Sequence, residues 1–344
     1  MTAINNWTNL INSLSLKIDS NKKNCVFAKL LLRIKQFLRP YQKNDELFDL
    51  AIVKKNHVEM FNTFKLTYEQ LLIENNITDI FIDMPSLINN NNIIFNMVSV
   101  GKWIKFHGGN AARIFFFDEE KTLISDKSMA DFLNKLDDIR SQYKFFGREP
   151  VVYYKFKSLP STDVIEYLLK FNVSVLEFDQ QSPFIDLPRN FENKVLLDQT
   201  MMLTLCSDLS YGFSESFYQL AGNGNREIMV KNRQDLETYL FDKEILVNQY
   251  AYEQTKIKID HMAGPKEKIR FDELCKKITI VADEKNLRFH YLKDIELLCA
   301  SVAESKCAII ITGNQRLCNK LNSYYQELPY KLFLGAQLTE SKYV

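Results

Sequence analysis

The chain has 344 residues, of which 46% are hydrophobic and 25% charged, a composition typical of a folded protein long enough for two ordinary domains. Its formal net charge is +1, and basic and acidic residues balance from Lys194 to the end. This balance excludes the strongly basic composition of a dedicated nucleic-acid-binding chain, although it leaves room for local basic patches.

The sequence shows no secretory or membrane segment. Its first ten residues, MTAINNWTNL, lack the charged and apolar parts of a signal peptide. No apolar run approaches the ~20 residues that span a bilayer. The six cysteines, at positions 25, 206, 275, 299, 307 and 318, form no CxxC pair, which favours reduced thiols. We therefore expect a cytoplasmic or nuclear protein that is not secreted and binds no membrane.

The chain begins with helical patterns. One apolar stripe at helical spacing ends before Pro40 and consists of Phe27, Leu30, Leu31, Ile34, Phe37 and Leu38. A second helix is predicted from Asn56 to Glu74, and its inward side chains are expected to be Val58, Phe61, Leu71 and Leu72.

The rest of the first half contains strands. DIFIDM, PVVYYKF and VSVLEF have strand patterns, and STDVIEYLLKFN between the last two has a helical pattern. A strand, a helix and a strand within ~30 residues form a βαβ unit, which favours parallel pairing. We expect an N-terminal α/β domain at residues 1–180, a proline-containing linker at 181–193 and a second domain at 194–344.

Strands and helices alternate throughout this second domain. Apolar runs at Lys194–Leu197, Ile278–Val281 and Ala308–Ile311 are separated by helical patterns. Such alternation is typical of a parallel sheet that helices cover on both faces. We therefore predict a three-layer α/β/α domain in which these three segments lie in one parallel sheet.

Asp198 ends the first buried strand of the second domain and precedes an apolar helix. The carboxyl ends of parallel strands border the crevice where ligands and metals bind, so Asp198 is a candidate site residue. The structural alternative is a helix N-cap, a position at which Asp is favoured. In either role a carboxylate that closes a buried strand needs solvent or a partner.

Two further candidates lie in the stretch ELLCASVAESKCAIIITGNQRL. Glu296 opens a helix, and Asn314 follows a strand that ends at Thr312. This arrangement resembles the C-terminal end of PIN-domain nucleases, where a helix begins at an acid and the next strand ends in Thr-x-Asp or Thr-x-Asn. The resemblance implies that Asp198, Glu296 and Asn314 share one site. Glu253 is the fourth candidate, because Gln249, one helical turn before it, stands where that fold has an acid.

The chemistry implied by such a site depends on carboxylates. Several of them at the carboxyl ends of parallel strands hold Mg²⁺ or Mn²⁺, which take oxygen ligands, activate water and stabilise the leaving oxygen of a phosphodiester. The candidate metal ligands are Asp198 and Glu296. Like Asp198, the other three candidates each have a structural alternative. Glu296 is a helix-dipole acid in that reading, Asn314 a turn residue and Glu253 part of an exposed helix face.

Several stretches carry a wider resemblance. They are LLDQTMMLTLCSDLSYG, GPKEKIRFDELCKKITIVAD, IITGNQRL and LTESK in the second half, with KWIKFHGGNAARI, SDKSMADFL and PVVYYKF in the first. On these stretches nearly the whole chain resembles the uncharacterised eukaryotic family named for the chromosome 7 open reading frame 25 protein. The resemblance implies a PIN-like C-terminal domain of unknown function. That family has acids where this chain has Gln249 and Asn314.

Two functional hypotheses follow from these observations. The missing acids and the balanced charge favour a non-catalytic domain on a degenerate nuclease fold, which binds a protein partner or RNA. The alternative is a divalent-metal-dependent ribonuclease with an incomplete acidic site, and a basic patch around Arg270, Lys276 and Lys277 supports it. The sequence leaves open whether the protein is an enzyme.

Overall fold

The computed structural model describes residues 2–20, 25–39, 42–43, 46–47, 55–85, 92–107, 127–186, 191, 193–212 and 226–339. The chain divides into two compact units. The first comprises Met1–Lys144 and Arg148–Asp186, and the second comprises Phe145–Gly147 and Leu187–Val344.

The first unit begins with helices and continues with strands. Its described helices are α1 (Thr2–Ser20), α2 (Cys25–Leu38), α3 (Lys55–Ile73), α4 (Lys127–Gln142) and α5 (Thr162–Lys170). Its described strands are β1 (Gln42–Lys43), β2 (Glu46–Leu47), β3 (Ile77–Pro85), β4 (Asn92–Ser99), β5 (Lys102–His107), β6 (Val151–Phe156) and β7 (Val173–Glu177).

The main sheet of the first unit is mixed. Within the described residues its strand order is β3-β4-β5-β6-β7, with antiparallel pairing from β3 to β5 and parallel pairing from β5 to β7. The parallel β6–α5–β7 unit confirms the predicted βαβ pattern. The antiparallel β4–β5 pair turns at Val100 and Gly101, where the positive φ of 77° favours glycine.

Helix α2 buries the apolar stripe predicted for it, because Leu30, Ile34 and Leu38 are almost completely inaccessible to solvent. The prediction for α3 is wrong at Val58 and Leu72, which are both 51% exposed. The buried stripe of α3 contains Phe64 and Leu71 and also three polar residues, Thr67, Gln70 and Glu74, at or just after its end. Apolar periodicity alone therefore misassigned the inward face of this helix.

The second unit alternates helices and strands. Its described strands are β8 (Lys194–Leu197), β9 (Glu244–Asn248), β10 (Ile278–Val281), β11 (Ile309–Thr312) and β12 (Tyr330–Leu332). Its described α-helices are α6 (Gln199–Cys206), α7 (Arg226–Leu240), α8 (Gln249–Met262), α9 (Pro265–Cys275), α10 (Asp294–Ser305) and α11 (Gln315–Tyr324).

All strand pairs in the second sheet are parallel across the residues that the structure describes, and the strand order is β10-β9-β8-β11-β12. Strands β8, β10 and β11 lie in this one sheet, which confirms the parallel arrangement expected from their apolar runs. Parallel neighbours place their carboxyl ends at the same edge, so the residues that follow β8, β9 and β11 share that edge.

Both faces of the second sheet are buried. Along β8, Val195 and Leu197 join a core with residues of α6, α8 and α9, whereas Leu196 joins a separate core with residues of α10 and α11. Alternate side chains of a strand point to opposite faces, so two cores require helices on both sides. The second unit is therefore a three-layer α/β/α structure, as predicted.

Among the described residues, no helix is long and apolar enough to cross a membrane.

Candidate acidic site at the carboxyl edge of the second sheet

Asp198 lies between β8 and α6 and is the N-cap of that helix. Its Oδ1 accepts hydrogen bonds from the Thr200 hydroxyl at 2.5 Å and from the Met201 amide at 3.0 Å. Its Oδ2 accepts a hydrogen bond from the Thr312 hydroxyl at the end of β11. The carboxylate therefore joins the ends of two neighbouring strands and caps a helix, and both of its oxygens are engaged by protein donors.

The two threonines that bind Asp198 are themselves fixed by backbone amides. The Gly313 amide donates to the Thr200 hydroxyl at 2.7 Å, and the Asn314 amide donates to the Thr312 hydroxyl at 2.9 Å. Each hydroxyl therefore accepts a hydrogen bond from an amide of the β11–α11 turn and donates its single proton to Asp198. This network is a closed structural clamp between two loops.

Burial raises the pKa of Asp198 above its ordinary value, although hydrogen bonds from Thr200 and Thr312 oppose this effect. A raised carboxyl pKa in the folded state contributes stability at low pH that is lost as the pH rises through that pKa. Ionised Asp198 thus costs stability, and its hydrogen-bond donors reduce the cost.

Glu296 lies in the first turn of α10, with a side chain only 9% exposed. It forms an ion pair with Lys320 of α11, and its Oε2 accepts from the Lys293 amide at 3.1 Å. Burial by itself raises the pKa of Glu296, but the Lys320 and Lys293 hydrogen bonds outweigh burial and hold the pKa below its ordinary value. The carboxylate is therefore ionised and already neutralised by an ammonium group.

The other two candidates serve their own helices. Asn314 is the N-cap of α11, and its Oδ1 accepts from the amides of Arg316 at 3.1 Å and Leu317 at 3.2 Å. Glu253 is exposed on α8 and accepts a hydrogen bond from the Gln249 side chain at 2.5 Å. Asn314 thus caps a helix, and Glu253 lies on an exposed helix face.

The structure connects some of the four candidates and leaves one apart. Asp198 and Asn314 are linked through Thr312, and the charges of both Asp198 and Glu296 act on the buried Cys299 thiol, whose pKa is raised first by burial. Glu253 interacts with Gln249 instead. In the part of the chain that is described, no three His, Cys, Asp or Glu side chains are arranged to hold a metal.

The candidate oxygen ligands fit Mg²⁺ or Mn²⁺ poorly. Both Asp198 oxygens accept hydrogen bonds, and the Glu296 carboxylate already has the Lys320 ammonium group as its partner. A hard divalent cation needs several accessible oxygens, usually with more than one carboxylate.

Sequence reasoning missed three residues at this edge. Thr200 follows Asp198 at the short spacing at which a hydroxyl reaches a neighbouring carboxylate, and this signal was available. Asp283 ends the apolar run ITIVAD just as Asp198 ends KVLL, and it binds the Asn248 side chain at 2.6 Å and the Tyr250 amide. Lys320 had no local signal, because only the packing of α11 beside α10 brings it to Glu296.

Gly313 is expected to be intolerant of a side chain. A Cβ at this position would lie 2.9 Å from Met201 Cε, 3.0 Å from Thr200 Oγ1 and 3.2 Å from Gly335 Cα. We expect Gly313→Ala to lower the free energy of unfolding by about 1–3 kcal/mol, as overpacking does, in urea denaturation. Gly335→Ala, where a Cβ meets nothing within 4 Å, is the matched control. Equal stabilities of the two variants would show that the close packing around Gly313 does not contribute to the stability of the clamp.

Comparison with known proteins identifies relatives of this chain. Residues 195–343 match the family described as "Protein of unknown function (DUF1308)". The Uncharacterized protein R220 of Acanthamoeba polyphaga mimivirus is 43% identical over 345 residues, covering 100% of both chains. The structure of protein VC1899 from Vibrio cholerae aligns with 51% of this chain and 48% of its own, at 11% identity and a TM-score of 0.25.

These matches agree with the expected resemblance to a family of unknown function, whereas the chromosome 7 open reading frame 25 identification stays a prediction. The alignment with the viral protein covers the whole chain and therefore both units. The chain therefore belongs to the same family as mimivirus protein R220, and its residues 195–343 match the DUF1308 family.

Proposed function

We propose that residues 194–344 form a degenerate PIN-like domain that acts in binding rather than in catalysis, within a cytoplasmic or nuclear protein. The parallel three-layer unit with candidate residues after β8 and β11 supports this assignment. Residues 1–180 are proposed as a separate N-terminal domain. The partner of the protein is a second protein or RNA.

One observation carries the non-catalytic assignment. The carboxylates that a nuclease needs for its metals are occupied by the protein itself: Asp198 by Thr200 and Thr312, and Glu296 by Lys320. An ammonium group on a candidate ligand repels a divalent cation, and a saturated carboxylate must lose hydrogen bonds before it binds one. Both candidate carboxylates are therefore present at this edge but already engaged by protein groups.

The test is a metal titration of the full chain. We expect millimolar Mn²⁺ or Mg²⁺ to raise the melting temperature only slightly, because a ligand at its Kd stabilises by only about 0.4 kcal/mol. Single-stranded RNA should stay intact in the same buffers. Asp198→Asn should fold and should abolish any rise. A large metal-dependent stabilisation, together with RNA cleavage that Asp198→Asn eliminates, would instead establish the alternative ribonuclease.

A variant with restored acids supplies the positive control. Combining Gln249→Glu and Asn314→Asp adds two carboxylates at the edge, and adding Lys320→Gln removes the competing ammonium group. Clustered carboxylates repel one another until a cation neutralises them. The triple variant should therefore gain a clear metal-dependent stabilisation that the unaltered chain lacks.

A further inference from the structure

Two exposed tyrosines stack on one another at the C-terminal end of α11. The rings of Tyr291 and Tyr324 have centroids 4.2 Å apart and planes inclined by 23°. They are 40% and 43% exposed, respectively. The Tyr291 amide is held by the Tyr325 hydroxyl at 3.1 Å, which fixes the loop before α10 against the end of α11. We refer to Tyr291 and Tyr324 as the tyrosine platform.

Cationic side chains lead along α11 to this platform. Arg316, Lys320 and Tyr324 follow one another at four-residue spacing, so they lie along one side of the helix over about 12 Å. Arg316 and Lys293 are exposed. Lys320 forms an ion pair with Glu296, and the charge of Arg316 also acts on Glu296. With the exposed Asp294, these three cations and two carboxylates carry a formal net charge of +1.

We propose that this surface binds a single-stranded polynucleotide, with a base stacked on the outer face of Tyr324 and phosphates contacted by Arg316 and Lys293. The inference rests on the proposed binding function and names its partner. Aromatic platforms next to a cationic track are the physical basis of sequence-tolerant single-strand binding. Because Glu296 is paired with Lys320, it opposes an incoming phosphate less than a free carboxylate would.

The stacking geometry favours a single strand over a duplex. Bases in a duplex are stacked on their neighbours and cannot offer a face to Tyr324, whereas an unpaired base can. RNA and single-stranded DNA share the base and the phosphate, so the surface is expected to accept both.

The experiment measures fluorescence anisotropy of labelled oligonucleotides of about ten nucleotides with the full chain, in EDTA. One arm uses ribo-oligonucleotides, a second deoxyribo-oligonucleotides and a third a duplex of the same sequence. Tyr324→Leu should weaken single-strand binding roughly tenfold to a hundredfold, and Tyr324→Phe should retain it. Arg316→Gln should weaken binding to all sequences and reduce the salt slope by about 0.7.

Matched controls alter similar side chains elsewhere in the second unit. Lys268→Gln on α9 removes an exposed cation, and Phe241→Leu after α7 removes an aromatic ring that is 91% exposed. Neither change should alter the affinity, and melting curves must show that every variant is folded. Binding to either single strand that fails in Tyr324→Leu but survives in the controls supports the proposal.

Three outcomes would overturn it: absence of single-strand binding at low salt, equal affinity for the duplex, or binding that is indifferent to Tyr324 and Arg316. Capture of a protein through the tyrosine platform in the absence of nucleic acid would show that the partner is a protein and not a polynucleotide. EDTA separates this test from the test of the proposed function. A metal-dependent nuclease would bind the oligonucleotide in EDTA without cleaving it, and its cleavage would be detected only in the Mn²⁺ assay.

Discussion

Replacing Glu74 by glutamine is expected to lower the free energy of unfolding by about 3–5 kcal/mol, because it leaves two buried lysines without their counter-charge. Glu74 follows α3, and its side chain is completely buried. Lys155 of β6 is equally buried, and Lys102 of β5 is 5% exposed. The three charges are therefore shielded from water, and each depends on the others.

The contacts of Glu74 explain the size of the effect. Its Oε1 accepts from Lys155 Nζ at 2.7 Å and from the Ser182 amide at 3.1 Å. Its Oε2 accepts from the Ser182 hydroxyl at 2.5 Å and faces Lys102 Nζ at 3.4 Å. Gln70 completes the cluster by accepting from Lys155 at 2.6 Å. An amide in place of the carboxylate loses the charge and directs an N–H at one of these donors.

The pH dependence has a definite sign. Burial raises the pKa of Glu74, but the Lys155 and Ser182 hydrogen bonds outweigh burial and lower the pKa below its ordinary value of 4.5. Its stabilising contribution is present above that ordinary value and is lost as the pH falls through the folded-state pKa. The stability difference between the unaltered chain and Glu74→Gln should therefore shrink on acidification.

Glu69→Gln is the matched control for Glu74→Gln. Glu69 lies on the same helix and pairs with Lys65 at 3.7 Å, but both side chains are more than half exposed. Such exposed pairs contribute less than about 0.5 kcal/mol. Urea denaturation followed by circular dichroism measures both variants. A loss below about 1 kcal/mol for Glu74→Gln would show that the buried cluster does not depend on its carboxylate.

Replacing Arg288 by methionine is expected to lower the stability of the second unit by about 3–5 kcal/mol. The Arg288 side chain is 8% exposed and forms ion pairs with Glu304 at 2.7 Å and with Glu327. Glu304 is only 1% exposed. Methionine fills much of the volume but leaves Glu304 as a buried carboxylate without a cation.

Aromatic contacts add to the role of Arg288. Its guanidinium lies 4.6 Å from the ring centroids of both Phe145 and Phe289. Burial by itself lowers the pKa of Arg288, but the charges of Glu304 and Glu327 outweigh burial and raise the pKa. Arg288 is thus a permanent cation enclosed by rings and carboxylates, and the neutral methionine side chain cannot reproduce its planar fork of donors.

Lys306→Met provides the comparison for Arg288→Met. Lys306 pairs with Glu284 at 3.0 Å, and the two side chains are 39% and 42% exposed. We expect a change of less than about 1 kcal/mol for this variant. Chemical denaturation should place Arg288→Met well below both this control and the unaltered chain. Similar stabilities of the two variants would contradict a structural role for the buried ion pairs.

The sequence by itself determined the parallel arrangement of β8, β10 and β11 in the second unit. Each of these three strands is a short apolar run, the segments between them have helical patterns, and parallel pairing needs crossover connections of that length. The same local logic identified Asp198 as the residue that ends β8 and marked Asn314 as the residue that follows β11. These features depend on neighbours along the chain, which a sequence displays directly.

Only the tertiary structure decided what those residues contact. Asp83 closes the apolar stretch IFID, a pattern that indicates a strand end, but it lies within β3, which continues to Pro85 in an antiparallel pair with β4. Asp118 closes the similar stretch RIFFFD and lies outside the described residues. Strand pairing depends on residues far apart in the chain, so no local pattern distinguishes a strand end from a strand interior here.

The acidic edge depends on the same kind of distant contact. Thr312 reaches Asp198 across 114 positions of the chain, and Lys320 reaches Glu296 across 24. The sequence shows that Asp198 ends a strand and that Glu296 opens a helix, but a carboxylate that binds a metal and one that binds a threonine or lysine have the same local pattern. Packing decides which donor arrives, because hydrogen bonds and ion pairs act only over a few ångströms.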